Sequence, residues 1–279
     1  MSGTPVGRIT GAALLGGIVG NPVSHSLSPV IHNAWLEAGG VDGAYVAFAP
    51  KDAAGFEALA AAGRAGLIAG VNVTAPFKEQ AFALADEAGA AARATGSANI
   101  LVFEDGRIRA ESADGAGVLY ALAEQAPQLT LKGASVVILG AGGAARAGAG
   151  ALVEAGASLS ILNRTRERAE ALAADLGPAV SVAPDAGALE EADLVVNALS
   201  TTPDIGLERL KPSAVVMDMT YRPVVTPLLA AARARGLTTV DGLAMLIGQA
   251  APSFEAIFRR PPPALDLRAL LLAHLGEAA

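Results

Sequence analysis

The chain has 279 residues, of which 52% are hydrophobic and 17% charged, with a formal net charge of −7 and no cysteine. This length allows two domains of ordinary size, and the acidic balance argues against a continuous basic surface for nucleic acid. Without cysteine the chain has no disulfide, thiolate metal ligand or thiol nucleophile. No stretch approaches the roughly 20 apolar residues of a membrane span. We therefore expect a cytoplasmic protein with neither membrane nor nucleic-acid partners.

The first hundred residues alternate between apolar runs and alanine-rich amphipathic stretches. The pattern predicts strands near 14–19, 44–48, 68–73 and 99–103, and helices near 28–38, 52–62 and 77–92. The run at 14–20 is broken by glycine, which favours a buried first strand over a signal peptide. Asp105-Gly106 supplies the positive φ angles of a tight hairpin turn at 104–107. These elements predict an α/β domain.

From residue 132 onward the same alternation becomes more regular. We predict six strands, at 134–139, 158–162, 179–182, 193–198, 214–219 and 237–240. Helices are predicted from the end of the first strand to about 155, at 167–176 and at 226–235. Six strands with helical crossovers predict a doubly wound parallel sheet, the Rossmann arrangement. Beyond 241 the chain is helical, interrupted by an extended connector at Pro261-Pro262-Pro263. We expect the last helix, 265–274, to return to the first domain, giving a substrate domain at 1–113 plus 241–279 and a dinucleotide domain at 114–240.

A glycine-rich turn follows the first strand of the predicted Rossmann domain. It fits the pattern G-x-G-x-x-A through Gly140, Ala141, Gly142, Gly143, Ala144 and Ala145. Small residues permit a tight turn and the close approach of a pyrophosphate to the free N–H groups of the following helix. A strand before this turn and a helix after it are the context in which the motif predicts dinucleotide binding.

The end of the second Rossmann strand indicates which dinucleotide binds. NAD sites usually carry an acidic residue there, whereas this chain has Asn163, Arg164 and Thr165, with Arg168 close behind. A guanidinium attracts a 2′-phosphate, and no carboxylate occupies positions 163–165 to repel it. The sequence therefore favours NADP as the cofactor.

Several segments outside the glycine-rich turn resemble one family. Taken alone, Lys78 after the apolar strand ending at Val73 is more typical of a surface lysine than of a catalyst. The resemblance rests on eight segments in chain order: 20–33 (GNPVSHSLSPVIHN), 72–78 (NVTAPFK), 97–99 (SAN), 114–117 (DGAG), the glycine-rich turn, 163–165 (NRT), 217–223 (MDMTYRP) and 242–250 (GLAMLIGQA). With these segments the chain is identified as similar to the shikimate dehydrogenase family.

The resemblance implies an NADP-dependent oxidoreductase that interconverts 3-dehydroshikimate and shikimate in aromatic amino acid biosynthesis, as a monomer or homodimer without a metal. It implies that Lys78 and Asp114 form the catalytic acid and base pair. Substrate contacts would come from polar residues of both domains, namely Ser24, Ser26, Asn72, Thr74, Asn99, Asp114, Tyr221 and Gln249. By the same analogy Met219 and Gly242 would lie beside the nicotinamide.

Three positions depart from the family pattern. Ser112-Ala113 replaces the usual Asn-Thr before Asp114, and Leu199 replaces a usual threonine, so polar groups are lost near the substrate and the nicotinamide. Two alternatives stay open: a broader quinate/shikimate dehydrogenase of the same family, against which Ser24 and Arg164 argue, and a weakly catalytic NADP-binding relative, which the three departures allow.

Overall fold

The computed structural model describes residues 9–277, which divide into two compact units. The first unit ends at Ala113 and resumes at Ala250, and the second runs Asp114–Gln249. The later division falls inside a single helix, Gly242–Phe258. Our domain boundaries at 113/114 and 240/241 stay a prediction.

The first unit contains a mixed six-stranded sheet in the order β2-β1-β3-β5-β6-β4. Its strands are β1 (Leu14–Val19), β2 (Gly43–Phe48), β3 (Gly70–Val73), β4 (Glu87–Ala88), β5 (Ile100–Glu104) and β6 (Arg107–Glu111). Strands β2, β1 and β3 are parallel, whereas β5 runs antiparallel to both β3 and β6. The predicted hairpin turn joins β5 to β6, with Asp105 at φ 50° and Gly106 at φ 75°.

Helices of the first unit are α1 (Ser28–Ala38), α2 (Ala53–Arg64), α3 (Lys78–Ala83) and α4 (Ala90–Thr95). The single helix predicted near 77–92 is wrong, because β4 separates α3 from α4. The backbone N–H of Asp86 bonds to Ile108 of β6 at 2.9 Å, and that of Gly89 bonds to Ala110 at 2.8 Å. Pairing with the sheet edge thus replaces the helical hydrogen bonds that local propensity favours.

The second unit contains six parallel strands in the order β12-β11-β10-β7-β8-β9. They are β7 (Ser135–Leu139), β8 (Ser158–Leu162), β9 (Val180–Val182), β10 (Leu194–Asn197), β11 (Val215–Asp218) and β12 (Thr238–Val240). Numbered within the unit, this order is 6-5-4-1-2-3, the doubly wound dinucleotide-binding topology. The predicted Rossmann fold is confirmed.

Helices α5 (Asp114–Gln125), α6 (Gly143–Glu154), α7 (Arg166–Leu176), α8 (Pro227–Ala234) and α9 (Gly242–Phe258) follow in chain order, and α10 (Leu267–Leu275) packs in the first unit. The sequence pattern does not predict α5. A Cβ at Gly115 would lie 2.8 Å from that of Ala151 on α6, so α5 needs small residues where the amphipathic pattern needs large ones.

The three central strands of the parallel sheet, β7, β10 and β11, bury both of their faces. Along β7, Val136 and Ile138 enter one apolar cluster, whereas Val137 and Leu139 enter another. This double burial explains why these strands appear as continuous apolar runs in the sequence. The strand order makes β7 and β10 neighbours. Their carboxyl ends therefore lie at the topological switch point, where such sheets bind ligands.

Candidate substrate and dinucleotide sites

Polar side chains of the first unit follow the carboxyl ends of the parallel strands β1 and β3. Ser24 and Ser26 lie in the loop after β1, with Ser24 exposed and Ser26 half-buried, and half-buried Thr74 follows β3. The Thr74 N–H donates to the carbonyl of Val19 at 2.9 Å, and a Cβ at Gly20 would be 2.2 Å from Thr74 Cγ2. Glycine at position 20 therefore allows the two loops to touch.

Lys78 is the first residue of α3, directly after the β3 loop, and is half-buried. Its carbonyl accepts the N–H of Ala98 at 2.9 Å, which ties the start of the helix to the segment before β5. The next residue, Asn99, is 4% exposed, and its Oδ1 accepts the N–H of Ala113 at 2.8 Å. The structure thus brings Lys78 and Asn99 to one end of the sheet.

Asn72 lies on β3 beside these residues and forms three hydrogen bonds within the first unit. Its Oδ1 accepts from the Tyr45 hydroxyl at 2.7 Å, and its Nδ2 donates to the Asn99 carbonyl at 3.2 Å and to Ser253 Oγ at 2.9 Å. Both amide hydrogens are used by these bonds, so Asn72 in this geometry can offer a ligand only an acceptor.

Asp114 and Gln249, both in the second unit, lie on helices that pack closely. Asp114 begins α5 and is 5% exposed, and the partial positive charge of a helix N-terminus favours a carboxylate there. One turn later, a Cβ at Gly117 would lie 3.2 Å from the Cβ of Gln249 and 2.6 Å from the Met245 carbonyl oxygen on α9. Only glycine at position 117 permits this separation of α5 and α9.

The remaining predicted residues of the second unit follow β11 and β12. A Cβ at Gly242 would be 2.4 Å from the carbonyl oxygen of Met219, so the two predicted nicotinamide neighbours are in contact. The Met219 side chain reaches α6, where its Cε would lie 2.8 Å from a Cβ at Gly148. Tyr221 is half-buried in the same loop.

The glycine-rich turn has the geometry that the motif requires. Gly140 has a φ of 110°, which only glycine adopts without strain, and Ala145 is fully buried where α6 packs against the sheet. A Cβ at Gly142 or Gly143 would meet nothing within 4 Å, so open space lies over the N-terminus of α6. Gly142 precedes the helix and has no side chain to cap it. A pyrophosphate fits this space and these exposed N–H groups.

Arg164 and Arg168, which follow β8, are both exposed. Among residues 9–277 neither forms an ion pair, whereas the neighbouring Arg166 pairs with Glu170 at 2.8 Å. Asn163 Nδ2 donates to the Thr165 carbonyl at 2.7 Å and shapes the turn between β8 and α7. Two unpaired guanidinium groups fit the 2′-phosphate of NADP.

A buried polar cluster beneath the loops of the second unit carries no role in our sequence prediction. The Asp218 carboxylate, 1% exposed, accepts from Asn197 Nδ2 at 3.1 Å, from the Thr220 N–H at 3.0 Å and from Thr226 Oγ1 at 2.7 Å. Asn197 Oδ1 in turn accepts the N–H of Leu199 at 3.2 Å. The signal in the sequence is a polar residue at the end of each of two adjacent apolar strands.

Leu199 packs against the glycine-rich turn, with its Cδ2 3.0 Å from a Cβ at Gly140. The departure from threonine therefore places an apolar group beside the predicted pyrophosphate site. Within residues 9–277, no group of three histidine or acidic side chains could hold a metal ion, and no helix is long and apolar enough to cross a bilayer.

The order of the parallel strands, the glycine-rich turn and the two exposed arginines together define a dinucleotide-binding α/β protein. A family model described as the substrate binding domain of shikimate dehydrogenase matches residues 18–101, and one described as shikimate / quinate 5-dehydrogenase matches residues 121–244. The chain belongs to the shikimate dehydrogenase family.

Known relatives cover almost the whole chain. A protein of Caulobacter vibrioides named shikimate dehydrogenase (NADP(+)) is 50% identical over 96% of this chain and 98% of its own. The structure of shikimate 5-dehydrogenase from Thermus thermophilus in complex with NADP(H) and shikimate is 36% identical, with a TM-score of 0.81 over 90% of this chain and 95% of that one. Quinate dehydrogenase from Corynebacterium glutamicum in complex with NAD is 30% identical, with a TM-score of 0.84 over 94% and 99%.

Proposed function

We propose that this protein is an NADP-dependent shikimate dehydrogenase, which reversibly reduces 3-dehydroshikimate to shikimate in aromatic amino acid biosynthesis. The observation that carries the proposal is the set of intact segments around Lys78, Asp114 and the glycine-rich turn, in a chain that is 50% identical to a protein of that name. The confirmed Rossmann topology supports the dinucleotide half of the assignment.

Reduction of the C3 carbonyl converts the trigonal carbon to C–H and its oxygen to a hydroxyl. NADPH, when bound, supplies the hydride that forms the C–H bond. The oxygen gains negative charge as the C=O π bond breaks, and a positioned ammonium group can both stabilise this charge and transfer a proton to it. We assign this role to Lys78, which acts as the base in the reverse direction. The Asp114 carboxylate orients that ammonium group and accepts from a neighbouring substrate hydroxyl.

Recognition of the substrate carboxylate falls to Ser24 and Ser26, whose hydroxyls can donate hydrogen bonds to it. The other predicted substrate residues are polar side chains at strand ends or helix starts, where they can hold the hydroxyls and the acid group: Asn72, Thr74, Asn99, Tyr221 and Gln249. Asn99 is the best supported among them, because its Oδ1 is already fixed by the Ala113 N–H, which leaves the Nδ2 orientation set.

The cofactor would be held by residues 140–145 at the pyrophosphate and by Arg164 and Arg168 at the 2′-phosphate. The space over Gly142 and Gly143 and the absence of an ion pair at both arginines within residues 9–277 support this assignment. Asn163 and Thr165 shape the turn that presents Arg164, and Met219 and Gly242 would border the nicotinamide.

The experiment that tests the function is a side-by-side steady-state assay of the purified protein with shikimate and quinate, each with NADP and NAD. The proposal predicts the largest kcat/KM for shikimate with NADP. Comparable kcat/KM for quinate would instead identify the broader dehydrogenase. Cofactor binding without turnover of either acid would identify the weakly catalytic relative that Ser112, Ala113 and Leu199 keep open.

We further propose that the protein works in the cytoplasm as a monomer or homodimer, with shikimate and NADP as its small-molecule partners. Light scattering coupled to size-exclusion chromatography measures the molar mass against the 27.7 kDa of one chain. Fractionation of the source cells tests the compartment. A larger assembly or a membrane-associated fraction would contradict the respective expectation.

A further inference from the structure

Tyr45 lies at the centre of the first unit, on β2, and is 1% exposed. Its ring stacks on that of His32 with the centroids 4.1 Å apart and the planes 8° from parallel. Its backbone is held by both ends of the Asn33 amide, through the Tyr45 N–H to Oδ1 at 3.0 Å and from Nδ2 to the Tyr45 carbonyl at 2.8 Å. Position and ring plane are therefore fixed, so the hydroxyl points in one direction.

The buried hydroxyl of Tyr45 is hydrogen-bonded. It donates to Asn72 Oδ1 at 2.7 Å. Burial raises the pKa of Tyr45 well above its usual value, so the phenol keeps its proton and remains a donor. A permanent donor facing Oδ1 fixes which end of the Asn72 amide faces Tyr45.

Because the Asn72 amide is fixed, its Nδ2 group also has a fixed direction. Its two hydrogens reach the Asn99 carbonyl and Ser253 Oγ, so β3 is joined through one side chain to the start of β5 and to α9. Asn99 is the residue whose side chain we assign to the substrate. Its carbonyl also accepts the Val73 N–H at 2.8 Å.

We infer that Tyr45 is a positioning residue for substrate recognition, which acts through the Asn72 amide to hold the backbone at Asn99. The inference rests on the proposed function for the identity of the ligand. Tyr45 itself does not contact the substrate under this inference, and it affects binding by holding other groups in place. The hydroxyl alone carries this role, because a phenylalanine keeps the ring and its stacking.

The test is Tyr45→Phe, assayed for the KM and kcat of shikimate oxidation and for the Kd of shikimate by calorimetry. We expect KM and Kd for shikimate to rise about fivefold to thirtyfold, equivalent to about 1–2 kcal/mol, with the KM for NADP unchanged. Tyr120→Phe is the matched control, since Tyr120 is 45% exposed and lies outside the machinery, and it should behave as the wild type. A Tyr45→Phe enzyme whose KM stays within twofold of the wild type overturns the inference.

Ser253→Ala removes the partner of Asn72 on the opposite side and extends the test to a cycle. Because both changes act through one amide, the double variant Tyr45→Phe/Ser253→Ala should raise KM by clearly less than the product of the two single effects. Multiplicative effects would overturn the inference. If Tyr45→Phe does not fold, as judged by circular dichroism, Ser253→Ala alone must still raise the KM for shikimate. A wild-type enzyme inactive on shikimate refutes the proposed function instead.

Discussion

His32 makes the stability of the first unit sensitive to mild acid. It is 1% exposed, its Nδ1 has no hydrogen-bond partner within residues 9–277, and burial lowers its pKa from 6.5 to about 3. The folded state therefore keeps the ring neutral where the unfolded chain binds a proton. The contribution of the neutral His32 ring to the free energy of unfolding is fully present above pH 6.5. It falls as the pH is lowered towards 3, because only the unfolded state binds the proton between these two values.

The size of this loss follows from the shift. Each pH unit below 6.5 costs about 1.4 kcal/mol, so the free energy of unfolding should fall by about 2 kcal/mol between pH 7 and pH 5. Two carboxylates add to the pH dependence of stability only below about pH 5. The side-chain hydrogen bond from Thr10 lowers the pKa of Asp42, and that from Arg64 lowers the pKa of Asp86, both from a usual value of 3.8. Their protonation therefore begins only at more acidic pH.

The assay uses the single tryptophan of the chain, Trp35, which belongs to the first unit and lies 5.7 Å from His32 between ring centroids. Urea unfolding followed by Trp35 fluorescence at pH 7 and pH 5 gives the two free energies. His32→Phe keeps an aromatic ring and should remove most of the difference, whereas the exposed control His274→Gln should retain it. Equal pH dependence in the wild type and His32→Phe would refute the reasoning.

Two further predictions concern the cofactor. The double variant Arg164→Ala/Arg168→Ala should raise the KM for NADPH by about 10- to 100-fold and leave the KM for NADH unchanged, because charge-assisted bonds to a phosphate are worth about 1.5–3 kcal/mol. The control Arg166→Ala removes an already paired arginine and should change neither KM. Equal effects of the two variants would contradict the assignment. Gly142→Ala should fold with an unchanged Tm, since its Cβ meets nothing within 4 Å. It should nevertheless raise the KM for NADPH at least about tenfold, because the methyl group occupies the pyrophosphate space. A lowered Tm with an unchanged KM would point to a structural glycine instead.

Most of the fold follows from local patterns because its strands carry regular apolar runs and its turns carry glycine. Strand β8 lies at 158–162 as predicted, and the Asp105-Gly106 turn is where the motif places it. The error near 77–92 arises because the choice between helix and strand there depends on β6, which follows later in the chain. A local window contains no information about such a partner.

The candidate site shows the same division between residues that a local motif predicts and residues that only the fold brings together. Residues carried by a motif, such as Lys78 and the glycine-rich turn, are visible in the sequence because spacing and residue type define them. Tyr45 and Ser253 are not, since one is an ordinary strand aromatic and the other a helix serine. They matter only because folding brings them to Asn72, which is separated from Ser253 by 181 positions.

The central claim is that Lys78 transfers the proton when the protein reduces 3-dehydroshikimate. The direct measurement is the steady-state rate of NADPH oxidation with this substrate for the wild type and Lys78→Ala, alongside the Kd of shikimate for both. We predict turnover by the wild type and a loss of about 10²- to 10⁴-fold in kcat for the variant, with a shikimate Kd close to that of the wild type. Full turnover by Lys78→Ala, or none by the wild type, would contradict the claim.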